Sequence, residues 1–202
     1  MRELQTGLWH WEAPHPEWKP GGTWPPEVSS YAIDDGTRLL LFDPLAVPDE
    51  LEELAGSRET AIVLTVAWHE RDSESLVERL PAPVYTPRPD DGSSDIAWLL
   101  GDDALESHLI SAGDTLPFGI ETFAGRQPND LVLWIESRRA VLSGDTLVDF
   151  GSGLHIEEEW LGDVPRDEVV ERLRPLLDLP VELVLPTHGP PTDRAALERV
   201  LS

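Results

Sequence analysis

The chain has 202 residues, which is enough for one well-buried domain and marginal for two. The formal net charge of −24 disfavours nucleic acid and anionic membranes as partners, and the absence of Cys means that any metal ligands must be His, Asp or Glu. No apolar run is long enough to cross a bilayer and the N-terminus lacks the pattern of a secretory signal, so we expect a cytoplasmic protein.

Residues 1–27 fit neither a helical nor a strand period, and they contain four of the eight Trp and five Pro. We predict an extended Trp/Pro-rich N-terminal arm that packs its aromatic side chains on a domain formed by residues 28–202. An alternative is that His10 or His15, which lie in this segment, lines a functional cleft.

From residue 28 the apolar pattern is regular. Two apolar runs separated by the turn signal Asp34-Asp35-Gly36 predict a β-hairpin. Further strands are predicted at AIVLTVAW, PVYTP, GIETFA, LVLWIE, AVLSGD and VELVLP. Helices are predicted at DELEELAG, SESLVERL, PRDEVVERLRPLLDL and DRAALERVL, with a loop at 88–95 and a short helix within 95–108. This order indicates an α/β fold with two sheets packed face to face and helices outside, an αββα sandwich.

Polar residues follow three of these predicted strands. The loops at 66–72, 143–147 and 185–190 each place His or Asp just beyond an apolar run. A sheet edge can hold such side chains rigidly over a cleft, so these loops are the candidate site.

The order and spacing of five motifs over about residues 28–190 resemble the metallo-β-lactamase superfamily, including its glyoxalase II-like and other metallo-hydrolase members. The resemblance implies a four-layered αββα sandwich. It also implies that Asp43, in the first motif, orients the loop of metal ligands. The remaining matches are residues 64–72 for the HxHxDH loop, 113–126 and the strand after them for the third motif, Gly144-Asp145 for the fourth and Thr187-His188-Gly189 for the fifth.

Several ligand positions of the superfamily carry other residues here. With His69 at the second ligand position of the loop, the first position is Ala67, the Asp position is Arg71 and the last His position is Asp72. The third motif ends in Gly125-Arg126 instead of Gly-His. Ala and Arg donate nothing to a cation, so the first metal site, left with His69, should hold no metal.

The second metal site keeps three oxygen and nitrogen donors. The resemblance assigns Asp72, Asp145 and His188 to it, and His69 is a fourth candidate. Such donors could hold one zinc, iron or manganese ion.

Two functions therefore remain open. The first is a one-metal hydrolase of a small ester, thioester or lactone, in which Asp145, Arg126 and Arg71 are the candidate catalytic residues and an Arg stabilises the oxyanion. The second is a non-catalytic, metal-free protein in which Arg71 and Arg126 replace the metal charge, pair with Asp72 and Asp145 and bind a small anion. The sequence leaves the substrate and the oligomeric state open.

Overall fold

The computed structural model describes residues 1–89 and 107–202. The predicted loop at 88–95 and helix within 95–108 fall largely outside the described residues. The chain divides into two compact units, the first formed by residues 1–18 and 27–110 and the second by residues 19–26 and 111–202. Every helix in the described part of the chain is too short or too polar to cross a lipid bilayer.

The described residues of the first unit form one seven-stranded sheet whose strands follow chain order. The pairing is antiparallel from β1 to β4 and parallel from β4 to β7. Apolar side chains of the sheet and of two short helices form the core. These elements are β1 (Arg2–Gln5), β2 (Leu8–Pro14), β3 (Glu27–Asp34), β4 (Arg38–Phe42), α1 (Asp49–Ala55), β5 (Glu59–Val63), α2 (Ser73–Val77), β6 (Val84–Pro87) and β7 (Ser107–Ile110).

The predicted hairpin is confirmed by the antiparallel pairing of β3 with β4. Its turn contains Gly36 at φ 88°, a conformation that favours glycine. The predicted helices at the positions of α1 and α2 are also confirmed.

The expectation of an extended N-terminal arm without a strand period is wrong for most of residues 2–14, because they form β1 and β2 of the sheet. β2 pairs with β3 over its whole length, and Pro14, which lacks an N–H group, is its last residue. The expected packing of aromatic side chains holds for Trp11, which is buried and donates its Nε1–H to the carbonyl oxygen of Leu45 at 2.7 Å. The division of the chain at residue 27 stays a prediction.

His10 lies in β2 and is 5% exposed. Its Nε2 is 2.9 Å from Ser29 Oγ, and its ring stacks on Tyr31. Burial, together with the positive charges of Arg2 and the N-terminus, lowers the pKa of His10 to about 4.

This pKa predicts a loss of stability in mild acid. The unfolded chain takes up a proton near pH 6.5 and the folded chain near pH 4, so the free energy of unfolding falls as the pH drops through this range. We expect His10 to lower the free energy of unfolding by about 2–3 kcal/mol between neutral pH and about pH 4.5. Urea denaturation at neutral and acidic pH measures it, with His10→Gln as the comparison. An equal pH dependence in both proteins would contradict the prediction.

The described residues of the second unit contain a six-stranded sheet in the order β13-β12-β11-β10-β9-β8. β11 and β12 run parallel, and the other neighbours are antiparallel. The elements are β8 (Thr115–Leu116), β9 (Ile120–Ala124), β10 (Leu131–Ile135), β11 (Ala140–Leu142), α3 (Arg166–Leu173), β12 (Leu183–Leu185), β13 (Thr192–Asp193) and α4 (Arg194–Val200).

The predicted amphipathic helix near residues 165–179 is confirmed in its first half as α3, whose Val169, Val170 and Leu173 are buried in the core of the unit. The chain continues as a 3-10 helix, Arg174–Asp178. Pro175 lies at the start of this helix, and a proline there cannot continue the α-helical hydrogen bonds.

Candidate functional site

Asp43 follows β4 and is completely buried. Its carboxylate accepts hydrogen bonds from the backbone N–H of Thr65 at 2.9 Å and from the Thr65 hydroxyl at 2.5 Å. The Nδ1 atom of His69 lies 3.4 Å from Asp43 Oδ2. Because β4 and β5 are parallel neighbours, their carboxyl ends meet and bring these residues together. Asp43 thus ties the end of β4 to the loop that carries His69.

Arg71, which the motif match of the sequence places at an Asp position, lies in the 66–72 loop. Its backbone is in the left-handed region, at φ 45°. Its Nη1 donates to the carbonyl oxygens of Ser29 at 2.8 Å and Asp43 at 2.7 Å, and it lies 3.2 Å from Ser30 Oγ. The guanidinium therefore links the 66–72 loop to β3 and to the end of β4.

Asp72 precedes α2 and holds a neighbouring loop. Its Oδ2 accepts a hydrogen bond from the Ala46 N–H at 2.6 Å, and its own N–H donates to the Pro44 carbonyl oxygen at 3.1 Å. One carboxylate oxygen of Asp72 is therefore already used within the first unit.

The first unit has a cavity of about 190 Å³ beside this loop. The sequence left open whether His10 or His15 lines a cleft. His15 lines this cavity, whereas His10 is buried within the sheet. The lining residues are His15, Pro16, Glu17, Leu45, Trp68, Glu70, Arg71 and Asp72.

In the second unit, Asp145 and His188 follow the parallel neighbours β11 and β12. The carboxyl ends of these strands meet at one edge of the sheet, and the Thr187 hydroxyl donates to the Gly144 carbonyl oxygen at 2.8 Å. Asp145 Oδ1 lies 3.4 Å from His188 Nε2, and the two residues are 5% and 7% exposed. The sheet topology thus brings together two of the predicted ligands.

Arg126, which follows β9, is buried beside Asp145. Its Nη2 lies 3.2 Å from Asp145 Oδ2 and its Nε 3.0 Å from Asp130 Oδ2. Its Nη1 donates to the Trp160 carbonyl oxygen at 2.5 Å, and the guanidinium carbon is 5.7 Å from the centre of the Trp160 ring. The charge of Arg126 is therefore balanced by two buried carboxylates.

Asp130 is a member of this cluster that sequence reasoning missed. It is completely buried and accepts hydrogen bonds from the Thr146 hydroxyl at 2.9 Å and the Asp145 N–H at 3.3 Å. The sequence offered one signal, because Asp130 directly precedes LVLWI, a strand that is buried at every position. An ionisable residue at such a place needs a partner.

Aromatic rings from three separate segments of the second unit lie around the His188 imidazole. Trp24, Trp160 and Phe150 lie with ring centres 5.0, 5.4 and 6.2 Å from it, all near edge-to-face. No local pattern in the sequence places Phe150 or Trp160 here. The next residue, Gly189, has φ 112°, and a Cβ there would come within 2.2 Å of the Asp149 carbonyl oxygen, so glycine is required.

Asp145 and His188 fit a divalent metal ion. Two ligand atoms bound tetrahedrally at roughly 2.0–2.1 Å from one ion lie about 3.4 Å apart. Asp145 Oδ1 and His188 Nε2 have this separation, and Arg126 contacts the other carboxylate oxygen of Asp145. A carboxylate oxygen and an imidazole nitrogen suit zinc, iron or manganese.

Neither the family models nor the curated proteins that were compared match this sequence. Solved structures do match it. VMB-1 is 15% identical with a TM-score of 0.70, and the match covers 99% of this chain and 93% of VMB-1. The DIM-1 metallo-β-lactamase is 17% identical with a TM-score of 0.67, covering 98% and 92%. TTHA1623 in a di-iron-bound form is 25% identical with a TM-score of 0.62, covering 86% and 93%.

Proposed function

Because the chain has the metallo-β-lactamase fold, we propose that it is a hydrolase that uses one metal ion to cleave a small ester, thioester or lactone. The observation that carries this proposal is that Asp145 Oδ1 lies 3.4 Å from His188 Nε2 and that both residues are buried. DIM-1 is a metallo-β-lactamase and TTHA1623 binds two irons, which supports metal chemistry for this fold.

We assign Asp145 and His188 as ligands, and the motif match adds His69 and Asp72 to the proposed set. A bound zinc, iron or manganese ion would polarise the substrate carbonyl and lower the pKa of a bound water. Asp43 positions the His69 ring through its carboxylate, as expected of a group that orients a ligand.

Arg126 and Arg71 have positioning roles in this proposal. Each of the three guanidinium nitrogens of Arg126 contacts a carboxylate or carbonyl oxygen of the second unit, so the side chain holds Asp145 in place. Arg71 binds backbone carbonyl oxygens of the first unit and holds its own loop. These contacts favour a positioning role for both arginines over the oxyanion stabilisation that the sequence predicts.

The aromatic rings around His188 contribute by excluding water. Trp24, Phe150 and Trp160 lie around the ring of His188, a residue that is 7% exposed. A low local dielectric strengthens the attraction between a carboxylate and a cation. The same rings favour an apolar substrate group beside His188.

A metal-free protein is the second candidate, and the ion pairs of Arg126 favour it. The guanidinium already balances Asp145 and Asp130 without any metal. In this case the charge cluster serves stability alone.

Elemental analysis separates the two candidates. We expect about one equivalent of zinc, iron or manganese per chain after expression in supplemented medium and purification without chelators. His188→Ala should reduce the metal content about tenfold or more. His108→Ala is the matched control, because His108 stacks on Tyr85 in the first unit at 4.6 Å and lies outside the motifs. Wild-type protein with less than about a tenth of an equivalent of each metal would overturn the proposal and support the metal-free protein.

A further inference from the structure

The cavity of the first unit has walls of a distinctive chemistry. The lining includes Trp68, which is 37% exposed and is among the few large apolar side chains at the surface of the described chain. The other lining groups include the carboxylates of Glu17, Glu70 and Asp72. An aromatic face and carboxylates together form a surface that attracts organic cations.

The one Arg of the lining does not reverse this charge. The lining contains three acidic residues beside Arg71. Its Nη1 is engaged by the carbonyl oxygens of Ser29 and Asp43, in the body of the unit. The lining thus keeps an excess of negative charge, and the whole chain, at a formal −24, also attracts cations.

Leu45 and Asp72 in the cavity lining are held in place by hydrogen bonds within the unit. Leu45 is buried, its N–H donates to Ser30 Oγ at 3.2 Å and its carbonyl oxygen accepts from the Trp11 indole. Asp72 accepts a hydrogen bond from the Ala46 N–H. A preformed site loses little conformational entropy when a small ligand binds.

From this lining we infer that the cavity binds the substituted ammonium group of a small molecule, between the Trp68 ring and the carboxylates of Glu17 and Glu70. A quaternary ammonium is weakly hydrated and is attracted by the face of an aromatic ring, whereas a small anion would be repelled by these carboxylates. The volume of about 190 Å³ suits a group of this size. Asp72 belongs both to this lining and to the proposed set of metal ligands, whereas Trp68, Glu17 and Glu70 lie outside that set, so the cation can bind there without the metal.

Choline and 3,3-dimethylbutan-1-ol are a matched pair of probes, because they have the same shape and differ in the positive charge. We expect choline to bind with a Kd of about 1 mM in isothermal titration calorimetry, and the neutral alcohol to bind about tenfold more weakly or worse. The titrations are repeated with chelator-treated protein. An unchanged Kd there separates this site from the metal centre, so either proposal can fail alone.

Variants assign the binding to the cavity. Trp68→Ala should weaken choline binding about tenfold, Trp68→Phe should largely keep it, and Glu70→Gln should weaken it about threefold or more. Glu74→Gln is the control, because Glu74 is an exposed carboxylate of α2 outside the lining. The inference is overturned if choline and the neutral alcohol bind equally, if choline fails to bind at about 10 mM, or if Trp68→Ala and Glu70→Gln leave its Kd unchanged.

Discussion

Replacement of Arg126 by Met is expected to destabilise the protein by about 3–5 kcal/mol, because the change leaves the carboxylates of Asp130 and Asp145 buried without their cation. Asp130 is completely buried and Asp145 is 5% exposed, so water cannot replace the guanidinium at either. The Met side chain fills much of the lost volume, which confines the effect to charge and hydrogen bonding. Urea denaturation measures the change.

A surface ion pair of the same unit provides the control. Arg174 pairs with Glu171 at 2.7 Å, and both side chains are more than half exposed. Arg174→Met should cost at most about 1 kcal/mol. In the double variant Arg126→Met with Asp130→Asn, the loss should be smaller than the sum of the single losses by about 1–3 kcal/mol. Equal costs for Arg126→Met and Arg174→Met would show that the buried pairs contribute little.

Replacement of Asp43 by Ala is expected to cost about 2–5 kcal/mol, since both the N–H and the hydroxyl of Thr65 lose their acceptor inside the protein. Backbone conformation adds to this cost. Asp43 has φ 43°, a left-handed conformation that Asp and Asn tolerate better than Ala does.

Asp43→Asn is the matched variant for this prediction. It keeps one acceptor oxygen and the tolerance for a left-handed backbone, so it should cost clearly less than Asp43→Ala, about 1–2 kcal/mol. The midpoints of urea denaturation for the three proteins check the order. An Ala variant as stable as the Asn variant would mean that the carboxylate does not hold the Thr65 loop.

Much of the fold follows from local patterns in the sequence. The continuous apolar runs that form β4, β5, β10 and β11 predict buried strands, and the turn at Gly36 predicts the first hairpin. The strands β1 and β2 were not predicted, for a reason that lies in their composition. In β2 the large residues Trp9, His10 and Trp11 follow one another, so the alternation of buried and exposed positions is hidden until β3 pairs with the strand.

The site was predictable where it depends on strand ends. Asp145 and His188 follow neighbouring parallel strands, and the pairing of Arg126 with Asp145 agrees with the charge balance expected from the sequence. The sequence also predicts that Arg71 pairs with Asp72. In the structure, Arg71 donates to backbone carbonyl oxygens, and Asp72 accepts from the Ala46 N–H. Backbone partners of this kind have no side-chain signature in a sequence.

Contacts between distant segments account for the residues that were missed. The carbonyl oxygen of Trp160 accepts from Arg126 across 34 positions of the chain, and no local period indicates this contact. Phe150 and Trp160 reach His188 only because the loop after β11 folds back on the edge of the sheet. Such contacts depend on tertiary packing, which single-sequence patterns do not encode.

The most direct test of the proposed metal centre is a crystal structure of zinc-supplemented protein with anomalous diffraction data collected at the zinc absorption edge. We expect an anomalous peak about 2.0–2.2 Å from both Asp145 Oδ1 and His188 Nε2, with Arg126 still contacting Asp145 Oδ2. A map without a peak at these two atoms, in crystals grown with excess zinc, would contradict it.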